Sequence, residues 1–256
     1  MPSALHHAKQ LYLEGIRDGR PREAVIAYTG ARYTQHSTGV KDGVEGFVEF
    51  FTDFIARNPE RHIEIVRGWQ DGRYVFLQAY QALGEGGPRY VTTDFFDSDD
   101  EGLILEHWDV IREFVGHTPS GHTEIDGATE ITDLDRTEDN KRLVREMLEH
   151  CLFRGNHAER ITDYISSETY IQHNPEVADG IESLSALAQD PDRSLNYEEI
   201  VLCVGSGNFV ATLCRTDWKG QAFAQVDIFR IEDGKIVEHW DNAEPVPDDP
   251  VNGGKF

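Results

Sequence analysis

The chain has 256 residues, enough for two ordinary globular domains of about 130 residues each, and its 39% hydrophobic content is not that of a disordered protein. Acidic residues outnumber basic ones by 47 to 24, and the formal net charge of −23 disfavours nucleic acids and anionic membranes as partners. No stretch approaches the roughly 20 consecutive apolar residues of a membrane span.

The first 115 residues are predicted to form three helices followed by four strands. Apolar residues at helical spacing indicate helices at Ala4–Ile16, Pro21–Tyr28 and Asp42–Arg57. Runs of β-branched and aromatic residues, separated by turn signals, indicate strands at His62–Trp69, Tyr74–Leu83, Tyr90–Asp97 and Leu103–Glu113. Helices followed by an antiparallel meander are typical of an α+β domain with its helices on one face of the sheet.

The second half repeats this order after a linker. Residues 116–137, rich in Gly, Thr and Asp, are predicted to link a first domain, 1–115, to a second domain, 138–247. In the second domain, helices are predicted at Lys141–Phe153, Ala158–Ile165 and Asp179–Ala188, and strands at Glu198–Val204, Asn208–Thr216, Ala222–Ile231 and Lys235–Asp241. The Pro- and Gly-rich tail, 248–256, is expected to lie on the surface or to fray.

The cysteines indicate the cellular compartment. Cys151, Cys203 and Cys214 all fall in the second half, and no CxxC motif is present. Their odd number predicts reduced thiols and a cytoplasmic protein, and the first residues lack the charged start and apolar run of a secretory signal. The acidic composition fits an ordinary soluble protein or one from a saline habitat, and both remain open.

Short motifs recur in the same order in the two halves. The segment Tyr33–His36 (YTQH) recurs 137 residues later as Tyr170–His173 (YIQH), and the D-G-x-E segment that follows keeps this offset. The E-H-W-D segment at Glu106–Asp109 recurs 132 residues later, at Glu238–Asp241. A few loop deletions in the second copy would produce this stepwise shortening. The chain is therefore predicted to contain two diverged copies of one α+β domain.

The E-H-W-D segments carry the residues best suited to chemistry. Side chains alternate along a strand, so the histidine and aspartate share one face while the glutamate and tryptophan share the other. The histidine and aspartate that share a face are His107 and Asp109 in copy one, and His239 and Asp241 in copy two. Asp94 and Asp227 lie on the preceding strands, where the sequence does not fix the register. If Asp227 points inward, the helix-covered face holds it together with His239, Asp241 and an incoming His173.

These groups admit chemical and structural interpretations. An aspartate among apolar neighbours has a raised pKa, which suits a base that removes a proton next to a ketone. A strand-end His or Asp is more often a hydrogen-bonded structural residue or a turn cap, and Trp108 and Trp240 fit a packing role better than a substrate contact. A metal site is not expected, because no HExxH motif or clustered Cys/His spacing occurs. Phosphate-binding loops and nucleophile elbows are also missing.

The motifs Y-x-Q-H, D-G-x-E, D-x-F and D-G-x-I-x-E-H-W-D together resemble those of SnoaL-like proteins, a family of the nuclear transport factor 2-like superfamily that includes polyketide cyclases and relatives of ketosteroid isomerase. The resemblance covers nearly all of both copies. It implies two tandem cone-shaped α+β domains, each a curved, mostly antiparallel sheet wrapped on about three helices around an apolar cavity. Because many relatives are homodimers packed sheet to sheet, the two copies are expected to form an intramolecular pseudo-dimer, and further self-association of this pseudo-dimer is an open alternative.

The resemblance also implies roles for particular residues. In the cyclases, the aspartate that ends the E-H-W-D strand acts as general acid/base without a cofactor, a role that falls on Asp109 and Asp241. The family favours a histidine where this chain has Asp94 and Asp227, so the chain departs from the pattern there. We include these aspartates, with His107 and His239, in the expected catalytic set. The expected substrate-binding residues are His36, His173, Tyr33, Tyr170, Trp69, Phe96 and Phe229.

Three functions follow as expectations. The first is a cofactor-independent acid/base enzyme that acts on a small apolar carbonyl compound, as an aldol cyclase, isomerase or dehydratase. The second is a non-catalytic module that binds a small apolar ligand in the same cavity. The third is a structural protein whose sheet faces make the contacts. The volume of the cavity separates the first two from the third.

Overall fold

The chain divides into two compact units, as seen in a computed structural model that describes residues 3–153, 158–189 and 195–256. Unit 1 comprises Met1–Glu113 and Val246–Phe256, and unit 2 comprises Phe114–Pro245. The residues predicted to be a linker therefore belong to unit 2, and the predicted tail belongs to unit 1. Within the described residues, no helix is both long enough and apolar enough to cross a membrane.

Unit 1 consists of helical segments and a five-stranded sheet, and its first strand lies between two of the helices in sequence. Helix α1 (Ala4–Gln10) continues as a π-helical segment, Leu11–Arg17, and is followed by α2 (Pro21–Tyr28) and α3 (Gly43–Arg57). The strands are β1 (Thr29–Gln35), β2 (Arg61–Asp71), β3 (Tyr74–Leu83), β4 (Arg89–Ser98) and β5 (Ile104–Glu113). They lie in the order β1-β5-β4-β3-β2, and β1 alone runs parallel to its neighbour.

Unit 2 has the same topology. Its helical segments are a 3₁₀ turn at Leu134–Arg136, α4 (Thr137–Met147), a π-helical segment at Leu148–Leu152, a 3₁₀ segment at Ala158–Asp163 and α5 (Ile181–Gln189). Its strands are β6 (Ile171–Gln172), β7 (Asn196–Ser206), β8 (Phe209–Trp218), β9 (Gln221–Glu232) and β10 (Lys235–Pro245). The order β6-β10-β9-β8-β7 corresponds strand for strand to that of unit 1, which confirms the predicted α+β fold class.

The short parallel strands β1 and β6 were not predicted as strands. Strand β1 has no regular alternation of apolar and polar residues, and β6 has only two residues, so neither gives a strand signal. Each nevertheless pairs with the last strand of its sheet. Gln35 lies beside His107 in unit 1, and Gln172 lies beside His239 in unit 2. The strands thus place the Y-x-Q-H segment next to the E-H-W-D segment.

Helix α3 shows how the inner face of the unit 1 sheet is covered. The helix carries apolar residues at helical spacing, and Phe47 and Val48 are buried against a core that includes Leu77 and Phe96. Burial of a side chain of this size contributes about 1.5–3 kcal/mol. The opposite face of the sheet is also buried, and carries a cross-strand row of aromatic residues: Trp69, Phe76, Phe95 and Trp108.

Candidate active site

Unit 1 contains a cavity of about 390 Å³, a size suited to a small organic ligand. Its walls come from the π-helical segment, α3 and the inner face of the sheet, and most are apolar or aromatic, including Leu11, Val40, Phe47, Phe51 and Phe96. Polar residues of the E-H-W-D and Y-x-Q-H segments are also in the wall: Tyr33, Gln35, His107 and Asp109. Ser37, which follows the Y-x-Q-H segment, is in the wall as well. An apolar wall with a few convergent polar groups is typical of a small-molecule site.

The two candidate aspartates of each copy are direct cross-strand neighbours. Asp94 on β4 pairs with Asp109 on β5, and Asp227 on β9 pairs with Asp241 on β10. Directly opposed residues share a face of the sheet, so the register that the sequence left open brings both aspartates to the inner face. Asp94 is completely buried, whereas Asp109 borders the cavity.

A chain of hydrogen bonds fixes the ring of His107. Its Nε2 lies 2.8 Å from Asp94 Oδ1, and its Nδ1 lies 2.9 Å from Gln35 Oε1. Gln35 Nε2 donates to the Tyr33 hydroxyl oxygen over 3.2 Å, and the Tyr12 hydroxyl donates to Asp94 Oδ1 over 2.7 Å. The chain of bonds thus runs from the buried Asp94 to a tyrosine in the cavity wall.

Asp109 has a different set of partners. Lys255 Nζ lies 3.1 Å from Asp109 Oδ1 and 2.6 Å from its backbone oxygen, and the Lys255 side chain is completely buried. The Ser37 side chain also lowers the pKa of the Asp109 carboxylate. Of the two expectations for the tail, fraying is wrong, because the buried ion pair holds residue 255 in the protein interior, whereas residues 248–254 are exposed or half-buried at the surface.

Further contacts of the C-terminal segment fix the loop between β1 and α3. Asn252 Nδ2 donates to the backbone oxygens of Ser37 and Val40 over 2.6 and 2.9 Å. The Val251 backbone N–H donates to the Thr38 carbonyl over 3.1 Å. Ser37 and Val40 line the cavity, so the last residues of the chain support part of its wall.

The surroundings of Asp94 and Asp109 shift their pKa values in opposite directions. Burial raises the pKa of Asp94 by more than the hydrogen bond and charge of His107 lower it. Burial also raises the pKa of Asp109, but the ammonium of Lys255, together with His107 and Ser37, outweighs it and leaves the pKa below its ordinary value. Burial, with the nearby carboxylates, raises the pKa of Tyr33 and keeps its hydroxyl protonated.

Unit 2 arranges its matching residues in a similar way. His239 Nε2 lies 3.0 Å from Asp227 Oδ1, and its Nδ1 lies 3.0 Å from Gln172 Oε1. Burial lowers the pKa of His239, but the hydrogen bond and charge of Asp227 outweigh it, so the pKa is raised. Asn174 Nδ2 donates to Asp241, from the position that Ser37 occupies in copy one. The carboxylate of copy two thus has a neutral amide among its partners.

The tyrosine that donates to the buried aspartate comes from a different element in each unit. In unit 1 it is Tyr12, in the π-helical segment, and in unit 2 it is Tyr197, on β7, with a distance of 2.9 Å to Asp227 Oδ2. Ligand atoms of Asp227, His239 and Asp241 also lie within 4.8 Å of one another, close enough for a metal ion to join them. The oxygens of Asp227, however, already accept from Gln225, His239 and Tyr197, which disfavours a metal ion there.

Three of the predicted substrate-binding residues lie on the opposite face of the sheet. His36 stacks on Trp108 and His173 on Trp240, each with ring centres 4.5 Å apart, because alternation turns the neighbouring Gln35 and Gln172 inward instead. Trp69 belongs to the outer aromatic row. The expectation that these side chains reach the cavity is therefore wrong.

The remaining predicted residues lie inside the units. Tyr33 and Phe96 line the unit 1 cavity, and Tyr170 and Phe229 belong to the unit 2 core. The sequence interpretation missed Tyr12, Gln35 and Lys255. The repeated glutamine of Y-x-Q-H was a usable signal for Gln35, since both copies retain it beside the histidine. Nothing local to the tail indicates that Lys255 would reach Asp109.

Comparison with known proteins gives no family assignment, since no family model matches the chain and no curated protein matches it. Solved structures do match. A candidate polyketide cyclase from Bacillus cereus is 20% identical with a TM-score of 0.38, and the match covers 42% of this chain and 73% of that one. A candidate ketosteroid isomerase from Kribbella flavida is 14% identical with a TM-score of 0.38, and the match covers 45% of this chain and 84% of that one. An LEH-like epoxide hydrolase from M. tuberculosis is 18% identical with a TM-score of 0.36, and the match covers 43% of this chain and 82% of that one.

Proposed function

We propose that unit 1 is a cofactor-independent acid/base enzyme site for a small, largely apolar carbonyl compound, with chemistry of the aldol cyclase, isomerase or dehydratase type. One observation carries the proposal. Asp94 and Asp109 lie directly opposite each other next to an apolar cavity, and their pKa values are shifted apart. Titratable pairs with diverging pKa values are typical of acid/base sites.

In this proposal, Asp109 is the base. Its lowered pKa keeps it ionised near neutral pH, and it borders the cavity, where it would take a proton from the carbon next to the carbonyl group. Tyr33 is the donor to the oxygen that becomes negative. Its oxygen already accepts from Gln35, so its own proton is available to the substrate. His107 and Asp94 hold Gln35 in this orientation.

The family membership and the remaining expectations belong to the same proposal. Membership in the SnoaL-like family is supported by the motifs that recur in both copies. In unit 2, Asp241, His239 and Tyr170 correspond to Asp109, His107 and Tyr33 of unit 1. A second active site in unit 2 is therefore part of the proposal. The intramolecular pseudo-dimer and the cytoplasmic location remain predictions.

A non-catalytic binding module is the second candidate, and the Lys255–Asp109 ion pair favours it. A carboxylate held by a buried ammonium is a weaker base than a free one. The cavity would then hold an apolar ligand near the polar end without changing it. The two candidates differ in whether bound ligand exchanges protons with water.

Proton exchange with heavy water tests the proposal. The protein would be incubated in heavy water with a panel of cyclic and aromatic ketones, and loss of the α-proton followed by NMR. We expect exchange by the wild type, slower exchange by Asp109→Asn, and none by Asp109→Asn combined with Asp241→Asn. Ketones that bind without exchange would favour the binding module. Unchanged exchange in the double variant would remove both aspartates from the mechanism.

A further inference from the structure

A cluster of metal-ligating side chains lies in unit 2, on the sheet face opposite the helices. Ligand atoms of His122, Asp126 and His173 all lie within 4.8 Å of one another. We propose that this cluster binds a divalent metal ion of the imidazole-preferring class, with zinc as the best fit. Two imidazoles and one carboxylate form a ligand set that suits zinc, and a carbonyl oxygen or water completes four-coordination.

His173 is the central residue of the cluster. Its side chain is completely buried, and its Nδ1 faces two oxygens, at 2.8 Å from the Thr123 backbone oxygen and 2.9 Å from Asp126 Oδ1. A proton on Nδ1 can point to only one of these oxygens at good geometry. A metal ion next to Nδ1 can be shared by the imidazole and the carboxylate, and would bring the negative Asp126 and the ring together.

The presence of His122 favours a metal ion, rather than a proton, as the positive charge between His173 and Asp126. Its ring centre lies 5.0 Å from that of His173, and its side chain is 37% exposed, so it can turn a nitrogen towards the cluster. A second imidazole adds nothing to a proton shared between His173 and Asp126, but it is a ligand for zinc. Asp179 Oδ2, 3.8 Å from His122 Nε2, adds a further negative charge nearby.

The surrounding contacts hold His173 as metal-ligating histidines are held. Its second nitrogen, Nε2, lies 2.9 Å from Glu238 Oε1, and Glu238 is in turn paired with Arg230. A carboxylate partner on the second nitrogen fixes the tautomer and makes the other nitrogen a better ligand. The Trp240 indole stacks on the ring and donates to the Asp126 backbone oxygen over 2.9 Å, which fixes the loop that carries Asp126.

Copy one supplies an internal comparison. His36 stacks on Trp108, and its Nε2 lies 3.2 Å from Glu106, just as His173 is placed in copy two. Its Nδ1, however, meets a single backbone oxygen, that of Gly254, at 3.0 Å. Among the residues that the structure describes, no group of metal ligands surrounds His36. The additional imidazole and carboxylate are therefore specific to copy two.

Titration with Co²⁺ after removal of metal with EDTA tests the proposal, because the absorption of Co²⁺ reports its nitrogen and oxygen ligands. We expect one saturable Co²⁺ per chain, displaced by Zn²⁺. His122→Ala and Asp126→Asn, at partly exposed positions, should fold normally and weaken binding by about tenfold or more. His62→Ala removes an exposed imidazole 3.7 Å from Glu64 and should leave binding unchanged.

Thermal unfolding gives a second readout that does not depend on any enzyme activity. Zn²⁺ should raise the melting temperature of the wild type and of His62→Ala, because a ligand that binds only the folded state stabilises it. It should not raise that of His122→Ala. Absence of saturable Co²⁺ binding by the wild type, or equal binding by the wild type and His122→Ala, would overturn the proposal.

Discussion

Lys255 donates to Asp109 twice, once to the carboxylate and once to the backbone oxygen of the same residue, over 3.1 and 2.6 Å. Strand β1 pairs with β5 only as far as Gln35 and His107, with one more bond from the His36 N–H to the His107 oxygen. The ammonium thus satisfies a β5 carbonyl beyond the last pair of the parallel strands. Lys255 therefore contributes, with His107 and Ser37, to the lowered pKa of the proposed base.

Substitution of Lys255 by methionine should destabilise unit 1 by about 3–5 kcal/mol, because it leaves the Asp109 carboxylate buried without its cation. The measurement is the free energy of unfolding in urea. Lys41→Met is the matched control, since its ion pair with Glu49 is exposed and contributes about 0–1 kcal/mol. Equal losses in the two variants would show that the buried pair contributes no more than a surface pair.

Asp109 and His239 have pKa values shifted in opposite directions, so the free energy of unfolding should be highest at mildly acidic pH and fall on either side of it. The lowered pKa of Asp109 adds stability above its unfolded value of about 4, and this stability is lost as pH falls through the folded pKa. The raised pKa of His239 adds stability below its unfolded value of about 6.5, and this is lost as pH rises through the folded pKa. Urea unfolding at several pH values measures both.

The alkaline part of this profile has its own test. His239→Gln should lose less stability than the wild type between mildly acidic and mildly alkaline pH, because the titrating group is gone. His62→Ala, which removes an exposed histidine, should keep the wild-type profile. If the free energy of unfolding of His239→Gln depended on pH as that of the wild type does, the pH dependence would come from other groups.

Substitution of Tyr33 by phenylalanine should lower kcat by about 10²–10³-fold while leaving the fold intact, because it removes the proposed donor to the oxyanion. The Tyr33 hydroxyl has one described protein partner, Gln35, so the loss of stability should be small. Activity on a ketone found by proton exchange, together with the melting temperature, measures the two effects. Tyr74→Phe, on the part of β3 opposite Asp97, is the control and should keep full activity.

Gly127 should not tolerate a side chain. Its φ is +90°, and a Cβ there would lie 2.3 Å from Glu238 Oε1 and 2.8 Å from His173 Nε2. Gly121 has a similar φ of +86° but open space around the position of a Cβ. Both alanine variants carry the backbone strain of about 1–2 kcal/mol, so the additional loss in Gly127→Ala measures the close packing. Urea unfolding of the two variants gives this difference, and equal losses would mean that the loop shifts freely.

Local sequence patterns predicted the strands well, because their alternation and turn signals act over a few residues. They also placed His107 with Asp109 on one face, since alternation needs no knowledge of the partner strand. The opposition of Asp94 and Asp109 depends on how the hairpin between β4 and β5 closes, and a shift of one residue would have separated them. Alternation was not applied to His36, because β1 was not recognised as a strand.

Other parts of the site depend on contacts between distant residues. Lys255 reaches Asp109 across 146 residues of sequence, and His173 meets Thr123 across 50. Such contacts leave no local pattern, since a lysine in a Pro- and Gly-rich tail looks like an exposed lysine. Tyr12 and Tyr197 make the same bond from different elements, so comparison of the two copies could not identify either of them.

The repeated sequence segments and the compact units do not cover the same stretches of chain. Each compact unit includes the segment that follows the last strand of the other copy, residues 114 onwards in unit 2 and 246–256 in unit 1. A gene fragment cut at the repeat boundary would therefore encode one incomplete unit together with a segment of the other unit. Lys255 follows the second copy in the sequence but pairs with Asp109 of the first, so substitutions at these two positions are expected to depend on each other and the two halves of the chain to be selected together.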